Sequence, residues 1–327
     1  MKRNKFYLGI DLGGTNIKVG VVTDKGQVLH HLSLPTEAAK GPEHVLAQIK
    51  KGVKKIIELA KTDKFEAVGI GTPGSVDAKG YVRYPPNFPN WQEVPVKDEI
   101  EQFIGLPTYL DNDANVAAIG EGVFGKGKYF TDFLCITLGT GVGGGLFLNG
   151  KMYRGNGWAA GEIGHVTVDP DGPRCNCGNY GCLERLVGAK YISERAVDKI
   201  KRAEKETKIL ELADQDFFKI TPKIITEAAV NGDQLAHAVL TETGEILGIA
   251  LASVINLLNL PLIIVSGGIS QAGSLILDPM RETIYKRTLP VPRKAFEVTT
   301  ASLGTQAGVI GAAALAMTEA VEFSKSL

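Results

Sequence analysis

Two distant stretches of the sequence repeat one pattern. Residues 7–16 can be laid over residues 133–142, and in both stretches an apolar run leads into a turn rich in Gly and Thr. A second apolar run follows each turn, Ile17–Val22 and Gly145–Leu148. Such paired runs are typical of two antiparallel strands joined by a tight turn. One match alone could be an ordinary hairpin, but the pair predicts two halves of similar topology, each with one glycine hairpin.

Length and composition indicate a globular protein of two domains. The chain has 327 residues, of which 44% are hydrophobic and 22% charged, so it can bury a full core. Lys+Arg and Asp+Glu both number 36, which argues against a nucleic-acid partner because no broad basic field is present. No apolar stretch approaches ~18 residues, so we expect no signal peptide, no membrane span and a cytoplasmic location.

The remaining patterns predict α/β layers. Residues 28–34 continue the first meander, Pro42 opens an amphipathic helix, and Ala114–Phe124 forms a helix after a strand at Leu106–Leu110. We expect the last helix to pack back on the first domain. The predicted domains are residues 1–120 plus about 305–327, a smaller α/β domain, and residues 121–304, a larger one. Further predicted elements are strands at 67–71, 262–266 and 296–301, and helices at 234–260 and 307–323.

Other glycine-rich segments do not fit the common nucleotide-binding motifs. Gly139–Gly144 has the spacing of a dinucleotide fingerprint, but a strand follows it where that fingerprint requires a helix. Pro73 makes Gly69–Gly74 better suited to a loop beside a cleft. Gly127 stands where a P-loop would need Ser or Thr. Neither a Rossmann site nor a P-loop is therefore predicted.

The glycine hairpins themselves are candidate phosphate sites. Backbone amides next to glycine can approach phosphate oxygens without obstruction by a Cβ atom, and the hydroxyls of Thr15 and Thr140 can assist. Asp11 could hold Mg²⁺ through water. Plain turns are the alternative explanation. The candidate nucleotide-binding residues are Asp11, Gly13, Gly14, Thr15, Asn16, Thr140, Gly141, Gly267 and Gly268.

A cluster of thiols predicts a metal site. His165, Cys175, Cys177 and Cys182 lie within eighteen residues of one another. A Cys₃His set suits tetrahedral Zn²⁺, and with no open position it favours a structural role. The second ring nitrogen of His165 could hydrogen-bond a ligand. The alternative is that these are unrelated core thiols and a surface histidine. The fourth cysteine, Cys135, is expected to be a small buried hydrophobe.

Polar residues at a strand end are candidates for catalysis. Residues 111–115, with Asn112 and Asp113 at their centre, fall between a predicted strand and a predicted helix. A carboxylate there can accept the proton of a sugar hydroxyl that attacks a γ-phosphate, while a neighbouring amide orients that hydroxyl. Asn and Asp are also the favoured N-cap residues, so spacing alone leaves helix capping as an equal alternative.

Five motifs together resemble the ROK family of repressors, open reading frames and sugar kinases, particularly its bacterial glucokinases. They are Asp11–Asn16, Asn112–Asn115, Gly161–His165, Cys175–Glu184 and Ser266–Gly268, and they span nearly the whole chain. The resemblance implies an α/β, two-domain, actin- and hexokinase-like (ribonuclease H-like) fold with an interdomain cleft. It also implies ATP with Mg²⁺ as cofactors and phosphorylation of a hexose at its 6-hydroxyl.

The resemblance also implies roles for individual residues. Asp113 would be the general base and Asn112 a sugar ligand. The zinc site would hold in place the loop that carries part of the sugar pocket. The residues that would complete that pocket are Gly74, Asn87, Glu162, His165 and Glu184.

Several alternatives stay open from the sequence. Repressors of the family carry a DNA-binding segment ahead of the kinase-like part, and the position of Asp11 near Met1 leads us to expect none here. The substrate could instead be mannose, N-acetylmannosamine, N-acetylglucosamine or fructose, and the donor could be polyphosphate. A sugar sensor without catalysis is the alternative from another class. We expect a homo-oligomer, either a dimer or a tetramer.

Overall fold

A computed structural model describes residues 5–62, 64–203 and 206–326. Within them, the chain contains both strands and helices, in keeping with the predicted α/β layers. The strands are β1 (Phe6–Leu12), β2 (Asn16–Thr23), β3 (Val28–Pro35), β4 (Val68–Thr72), β5 (Ser75–Val76), β6 (Val82–Arg83), β7 (Thr108–Asn112), β8 (Phe133–Leu138), β9 (Val142–Leu148), β10 (Lys151–Met152), β11 (Leu262–Ser266) and β12 (Glu297–Thr300). The helices are α1 (Pro42–Ala60), α2 (Val96–Ile104), α3 (Asp113–Phe124), α4 (Leu183–Val187), α5 (Ala189–Ala203), α6 (Lys208–Leu212), α7 (Pro222–Val230), α8 (Gln234–Leu258), α9 (Ser274–Arg287), α10 (Pro290–Arg293) and α11 (Ala307–Ser326).

The chain forms two compact units. Unit 1 comprises the chain up to Thr131, Gly145–Gly161 and the chain from Ala301, and unit 2 comprises Asp132–Gly144 and Glu162–Thr300. Residues 121–131 and 145–161 thus belong to unit 1, whereas the predicted boundaries assign them to the second domain. The assignment of folding domains with those boundaries remains a prediction.

Two five-stranded sheets have the same topology. The first has the order β3-β2-β1-β4-β7 and the second β10-β9-β8-β11-β12. In the first, β1 pairs antiparallel with β2 and parallel with β4. In the second, β8 and β12 both pair parallel with β11. Both predicted glycine hairpins are present, as β1–β2 and β8–β9, so the predicted repeat of topology is confirmed.

The first sheet is covered on both faces. Successive side chains of β1 point to opposite sides, as they must in a strand. Leu8 and Ile10 join a core with Val45 and Ile49 of α1. Tyr7 lies in a second cluster, with Val309 and other residues of α11. The sheet therefore carries α1 on one face and α11 on the other.

Helix α11 lies directly on the backbone of the first sheet. A Cβ atom at Gly9 would overlap the carbonyl oxygen of Val309, and one at Gly69 would overlap that of Ala312. Both glycines lie on the side of the sheet that faces α11. The close approach of helix and sheet is possible only because these two strand positions lack side chains.

A buried carboxylate fastens the end of α3 to the segment that precedes α11. Glu121 is 1% exposed, and one of its oxygens accepts hydrogen bonds from the backbone amides of Ser302 and Leu303 at 2.7 and 3.0 Å. The other oxygen accepts one from the amide of Lys126 at 2.8 Å. These donors satisfy a charge that burial would otherwise make costly.

In unit 2 the longest helix is a core element. By length and composition alone α8 could cross a membrane. Its buried side chains include Leu240, Leu247 and Leu251, and the helix packs against α9 and α7. A helix enclosed by other helices is apolar over most of its surface, which accounts for the composition of α8.

The contact of α11 with β4 generates a stability prediction. Replacing Gly69 by Ala should force α11 away from the sheet and lower the free energy of unfolding by ~1–3 kcal/mol or more, because overpacking a close-packed contact is costly. Urea and thermal unfolding midpoints would measure the loss. Gly157 is the matched control, since a Cβ atom there meets nothing within 4 Å. Equal midpoints for Gly69→Ala and Gly157→Ala would contradict the proposed tight contact.

Candidate functional site

The junction of β7 and α3 carries the predicted catalytic residues. Asn112 is the N-cap of α3, and its Oδ1 accepts a hydrogen bond from the amide of Ala114 at 2.9 Å. Its Nδ2 donates to the carbonyl oxygen of Gly74 at 3.0 Å, so two predicted sugar-site residues are in contact. Asp113 begins the helix with an exposed side chain whose Oδ1 lies 2.8 Å from the same amide of Ala114. The capping alternative is therefore correct for Asn112, which leaves a role in binding open.

A loop with strained backbone lies beside this junction. Tyr84, Asn87 and Asn90 all have positive φ angles, 47°, 68° and 64°. Such conformations are costly for residues other than glycine and tend to cluster at functional sites. The loop packs on Gly74, where a Cβ atom would lie 2.7 Å from the Cα of Pro85. Its residue Asn87 lies next to Gly14 of the first hairpin, at 3.9 Å from an ideal Cβ there.

The first hairpin presents an exposed tip. The amide of Gly13 donates to the carbonyl oxygen of Asn16 at 3.0 Å, and the hydroxyl of Thr36 donates to that of Gly13 at 2.6 Å. Gly14, Thr15 and Asn16 are exposed. These hydrogen bonds hold the turn at Gly13, and the three residues at its tip remain accessible to solvent.

Asp11 forms an ion pair with a lysine side chain. Its carboxylate lies 3.3 Å from Nζ of Lys18, the residue opposite it on β2. It also lies against Gly308 at the start of α11, where the helix dipole favours negative charge. The sequence pattern indicated Asp11 but not Lys18, although an antiparallel register places the two opposite each other.

The second hairpin borders a cavity of about 530 Å³. Two predicted nucleotide residues, Thr140 and Gly268, line it together, and Gly267 packs against the backbone of Leu138 at the end of β8. The amide of Gly139 donates to the carbonyl oxygen of Gly141 at 3.0 Å and closes the turn. The strand ends of β8 and β11 thus bring both predicted glycine segments of unit 2 to one cavity.

Most of the residues that line this cavity were not among those predicted from the sequence. They come from the starts of α5 and α7 and from the turn after β11. A Thr-Pro pair, with Thr as N-cap and Pro at the first helical position, marks the start of α7 and was the available signal. The missed residues are Ala189, Thr221, Pro222, Lys223, Thr226, Glu227, Ile269, Gln271 and Ala272.

Three of the predicted sugar ligands lie close to the second hairpin or to the cysteine cluster. Glu162 and His165 occupy one 3₁₀ turn, in which the amide of His165 donates to the carbonyl oxygen of Glu162 at 3.0 Å. Glu184 lies in the first turn of α4, and its Oε2 accepts a hydrogen bond from the amide of Val142 at 3.0 Å. The carboxylate therefore supports the second hairpin directly, against the Cα of Gly141.

The histidine and the three clustered cysteines converge. One ligand atom from each of His165, Cys175, Cys177 and Cys182 lies within 4.8 Å of every other. Nδ1 of His165 is 3.9 Å from Sγ of Cys175, and the Sγ atoms of Cys177 and Cys182 are 3.6 Å apart. The four side chains are therefore grouped in space, and their donor set and spacing are compatible with a four-coordinate metal ion.

The thiols differ in their environments. Burial raises the pKa of Cys182 to about 12, whereas hydrogen bonding by the backbone amide of Asn179 lowers the pKa of the exposed Cys177. Metal ions bind the thiolate form, so a cation at this cluster would displace protons as it bound. Gly181, at φ 59°, packs on the carbonyl oxygen of Asp169 and permits the tight loop that brings Cys182 back.

Comparisons with known proteins agree over almost the full chain. The family model described as "ROK family" matches residues 7–319. A glucokinase from Thermotoga maritima is 36% identical over 309 residues, covering 94% of this chain and 96% of the relative. A xylose repressor from Caldicellulosiruptor bescii is 31% identical over 97% of this chain and 79% of its own length. The structure of a ROK family glucokinase from Streptomyces griseus, in complex with glucose and AMPPNP, has a TM-score of 0.82 and 37% identity, covering 96% of this chain and 99% of that one. These similarities confirm the predicted fold class.

Proposed function

Because this chain belongs to the ROK family, we propose that it is an ATP-dependent glucokinase that transfers the γ-phosphoryl group of ATP to the 6-hydroxyl of glucose. The comparisons confirm the prediction of an ATP-dependent sugar kinase. The observation that carries the catalytic part of the proposal is the β7–α3 junction. There, Asn112 is fixed by Gly74 and Ala114, and Asp113 presents an exposed carboxylate beside it.

In the proposed reaction, Asp113 is the general base. The 6-hydroxyl oxygen attacks the γ-phosphorus, the bond from that phosphorus to the bridging oxygen breaks, and ADP leaves. The hydroxyl proton passes to the carboxylate of Asp113. The amide of Asn112 orients the hydroxyl, and its own position is set by its bonds to Gly74 and Ala114. Orientation matters because transfer requires the reacting atoms to be nearly in line.

Most of the proposed sugar ligands are polar side chains whose backbone or side chain is held in place by neighbouring residues. Glu162 and His165 share one turn, and Glu184 is held by the amide of Val142. Asn87 stands in a strained loop, so its backbone conformation is imposed by the surrounding fold. We propose that these residues, with Gly74 and Asn112, bind the ring hydroxyls of the hexose.

For the nucleotide, we propose that the tips of both glycine hairpins bind the phosphates. The residues proposed for this are Gly13, Gly14, Thr15, Asn16, Thr140 and Gly141. The cavity beside Thr140 and Gly268 has the volume and mixed lining of a site for a nucleoside. Mg²⁺ would be held by the phosphates and, through water, by Asp11. Lys18, which pairs with Asp11, would limit the negative charge at that position.

Zn²⁺ fits the cysteine cluster. A tetrahedral Zn²⁺ ion with bonds of ~2.3 Å to sulfur has edges of ~3.8 Å between its ligand atoms. The distances of 3.6 Å between Cys177 and Cys182 and 3.9 Å between His165 and Cys175 agree with such a site. The ion would cross-link the loop that carries Glu162 to the start of α4 with Glu184, and it takes no part in the transfer.

Two alternatives remain for the substrate and the activity. Kinases for mannose, fructose, N-acetylglucosamine or N-acetylmannosamine would need the same machinery and differ in the pocket around the sugar. The second alternative is a sensor that binds sugar without catalysis, and the similarity to a protein named a xylose repressor supports it. We further propose a cytoplasmic homo-oligomer that binds no nucleic acid.

One assay separates these possibilities. We expect coupled ADP release to give the highest kcat/KM with glucose when glucose, mannose, fructose, N-acetylglucosamine and N-acetylmannosamine are compared. A different preferred hexose would reassign the substrate. ADP release no faster with any hexose than without one would favour the sensor, and polyphosphate in place of ATP would test the donor.

Replacing Asp113 by Asn should lower kcat by at least ~10²-fold, the usual scale of general-base assistance. The amide keeps the size of the side chain but cannot take up the hydroxyl proton. Steady-state kinetics with glucose would measure the effect, and circular dichroism would verify the fold. Asp98 provides the matched control, because it also lies in the first turn of a helix, α2, with an exposed side chain. Turnover of Asp113→Asn equal to that of Asp98→Asn would refute the assignment.

Replacing Cys177 by Ser should release the metal and raise the KM for glucose by ~10-fold or more, since supports of a site's ligands carry effects of that size. Elemental analysis by mass spectrometry would give the zinc content per chain. Cys135→Ala is the control, because Cys135 is buried in β8 and outside the cluster. A zinc-free Cys177→Ser protein with unchanged kinetics would show that the metal does not support the sugar site.

A further inference from the structure

Behind the β7–α3 junction, one arginine is held by three side chains of unit 1. Nε of Arg154 donates to Oδ2 of Asp111 at 2.7 Å, and Nη2 donates to Oε1 of Glu319 at 2.8 Å. The guanidinium carbon lies 4.8 Å from the centre of the Trp158 ring. Only 17% of the arginine side chain is exposed. Two donors in a fixed planar arrangement, together with the contact to the Trp158 ring, match the guanidinium group of arginine better than the single ammonium group of lysine.

The carboxylate that Arg154 binds is attached to the proposed catalytic segment. Asp111 is 2% exposed. Its Oδ1 accepts hydrogen bonds from the backbone amide of Asn112 and from Nδ2 of Asn115, both at 2.8 Å. One oxygen of Asp111 therefore holds the backbone just before Asp113 and the first turn of α3, while the other is held by Arg154.

The positive charge of Arg154 compensates the negative charge of the buried Asp111. Removing the cation from a buried ion pair leaves the carboxylate with part of its desolvation uncompensated, which is strongly destabilising. Although burial alone would lower the pKa of Arg154, the carboxylates of Asp111 and Glu319 raise it. Arg154 thus stays positively charged and balances Asp111. Glu319 in turn fixes the other end of the guanidinium to α11.

We propose that Arg154 is a positioning residue for phosphoryl transfer: through Asp111 it fixes the direction in which Asn112 and Asp113 present their side chains. The inference rests on the proposed function, in which Asp113 accepts the proton. It predicts that the arginine affects the chemical step without contact to either substrate. A lysine could not replace it, because one ammonium group cannot reproduce the fork that bonds both carboxylates and stacks on Trp158.

The test uses Arg154→Ala in the full-length protein. We expect kcat to fall by ~10- to 100-fold, as for misplacement of a catalytic group by about 1 Å, while the KM for ATP changes little. Guanidinium ion, at concentrations that leave the protein folded, should restore part of the lost kcat by occupying the space between Asp111 and Glu319. Sodium at equal ionic strength should not.

Two comparisons make the result specific. Arg281→Ala is the matched control, because Arg281 also forms an ion pair, with Asp278, and bonds a carbonyl group in unit 2. It should retain kcat and show no response to guanidinium. Arg154→Lys should remain folded, with reduced kcat that guanidinium does not raise. If Arg154→Ala does not fold, a kcat of Arg154→Lys within ~2-fold of the wild type, small against the loss that misplacement causes, would overturn the proposal.

For a folded Arg154→Ala protein, two results would overturn the inference: an unchanged kcat, or a loss that guanidinium leaves as it is. Asp113→Asn separates this outcome from failure of the proposed function. If Asp113→Asn loses activity and Arg154→Ala does not, the base is correctly assigned and only the role of Arg154 is wrong. If Asp113→Asn and Arg154→Ala both keep full turnover, the assignment of Asp113 as the base is wrong, and the inference about Arg154 fails with it.

Discussion

Unit 1 depends on the direct contact between α11 and the backbones of β1 and β4. Gly9 and Gly69 let the helix lie on the sheet, and the helix also packs against α3 and β7. That position brings Glu319 to Arg154, which in turn reaches Asp111. The geometry of the proposed catalytic junction is thus set partly by residues far away in the sequence. A helix packed through side chains would lie farther from the strands, and the chain of ion pairs would not close.

Local patterns were sufficient to predict much of this molecule. Each glycine hairpin is recognisable in the sequence from two apolar runs on either side of a turn. Strand β11 has the predicted bounds, Leu262–Ser266, because turn residues flank it on both sides. The convergence of His165 with the three cysteines was predictable because the ligands of a structural metal site are typically closely spaced in the sequence. By contrast, Arg154 and Glu121 make contacts with residues distant in the chain. The cavity beside Thr140 was missed for the same reason, since most of its lining comes from separate helices.

In unit 2, the side chain of Glu184 links the start of α4 to the second hairpin. Glu184 lies two residues after Cys182 of the cysteine cluster, and its Oε2 accepts a hydrogen bond from the backbone amide of Val142 in the second hairpin. The turn that carries His165 also touches this hairpin, because Gly164 packs on the carbonyl oxygen of Val142. The loop tied by the cysteine cluster therefore supports the hairpin as well as the proposed sugar ligands. A metal ion at the cluster would stiffen both together, because a fixed ligand set fixes the segments on either side of it.

The capping interpretation of Asn112 and Asp113 explains only the first of them. The amide of Ala114 already lies 2.9 Å from the side chain of Asn112, and one such acceptor is what an N-cap supplies. Asp113 approaches the same amide at 2.8 Å, so its contribution to capping is redundant with that of its neighbour. Its negative charge at the helix start gains from the dipole, but an exposed charge there contributes under about 1 kcal/mol. Capping uses one acceptor, whereas the proposed reaction uses two neighbouring groups: the carboxylate of Asp113 takes up the hydroxyl proton, and the amide of Asn112, which Gly74 holds, orients the hydroxyl.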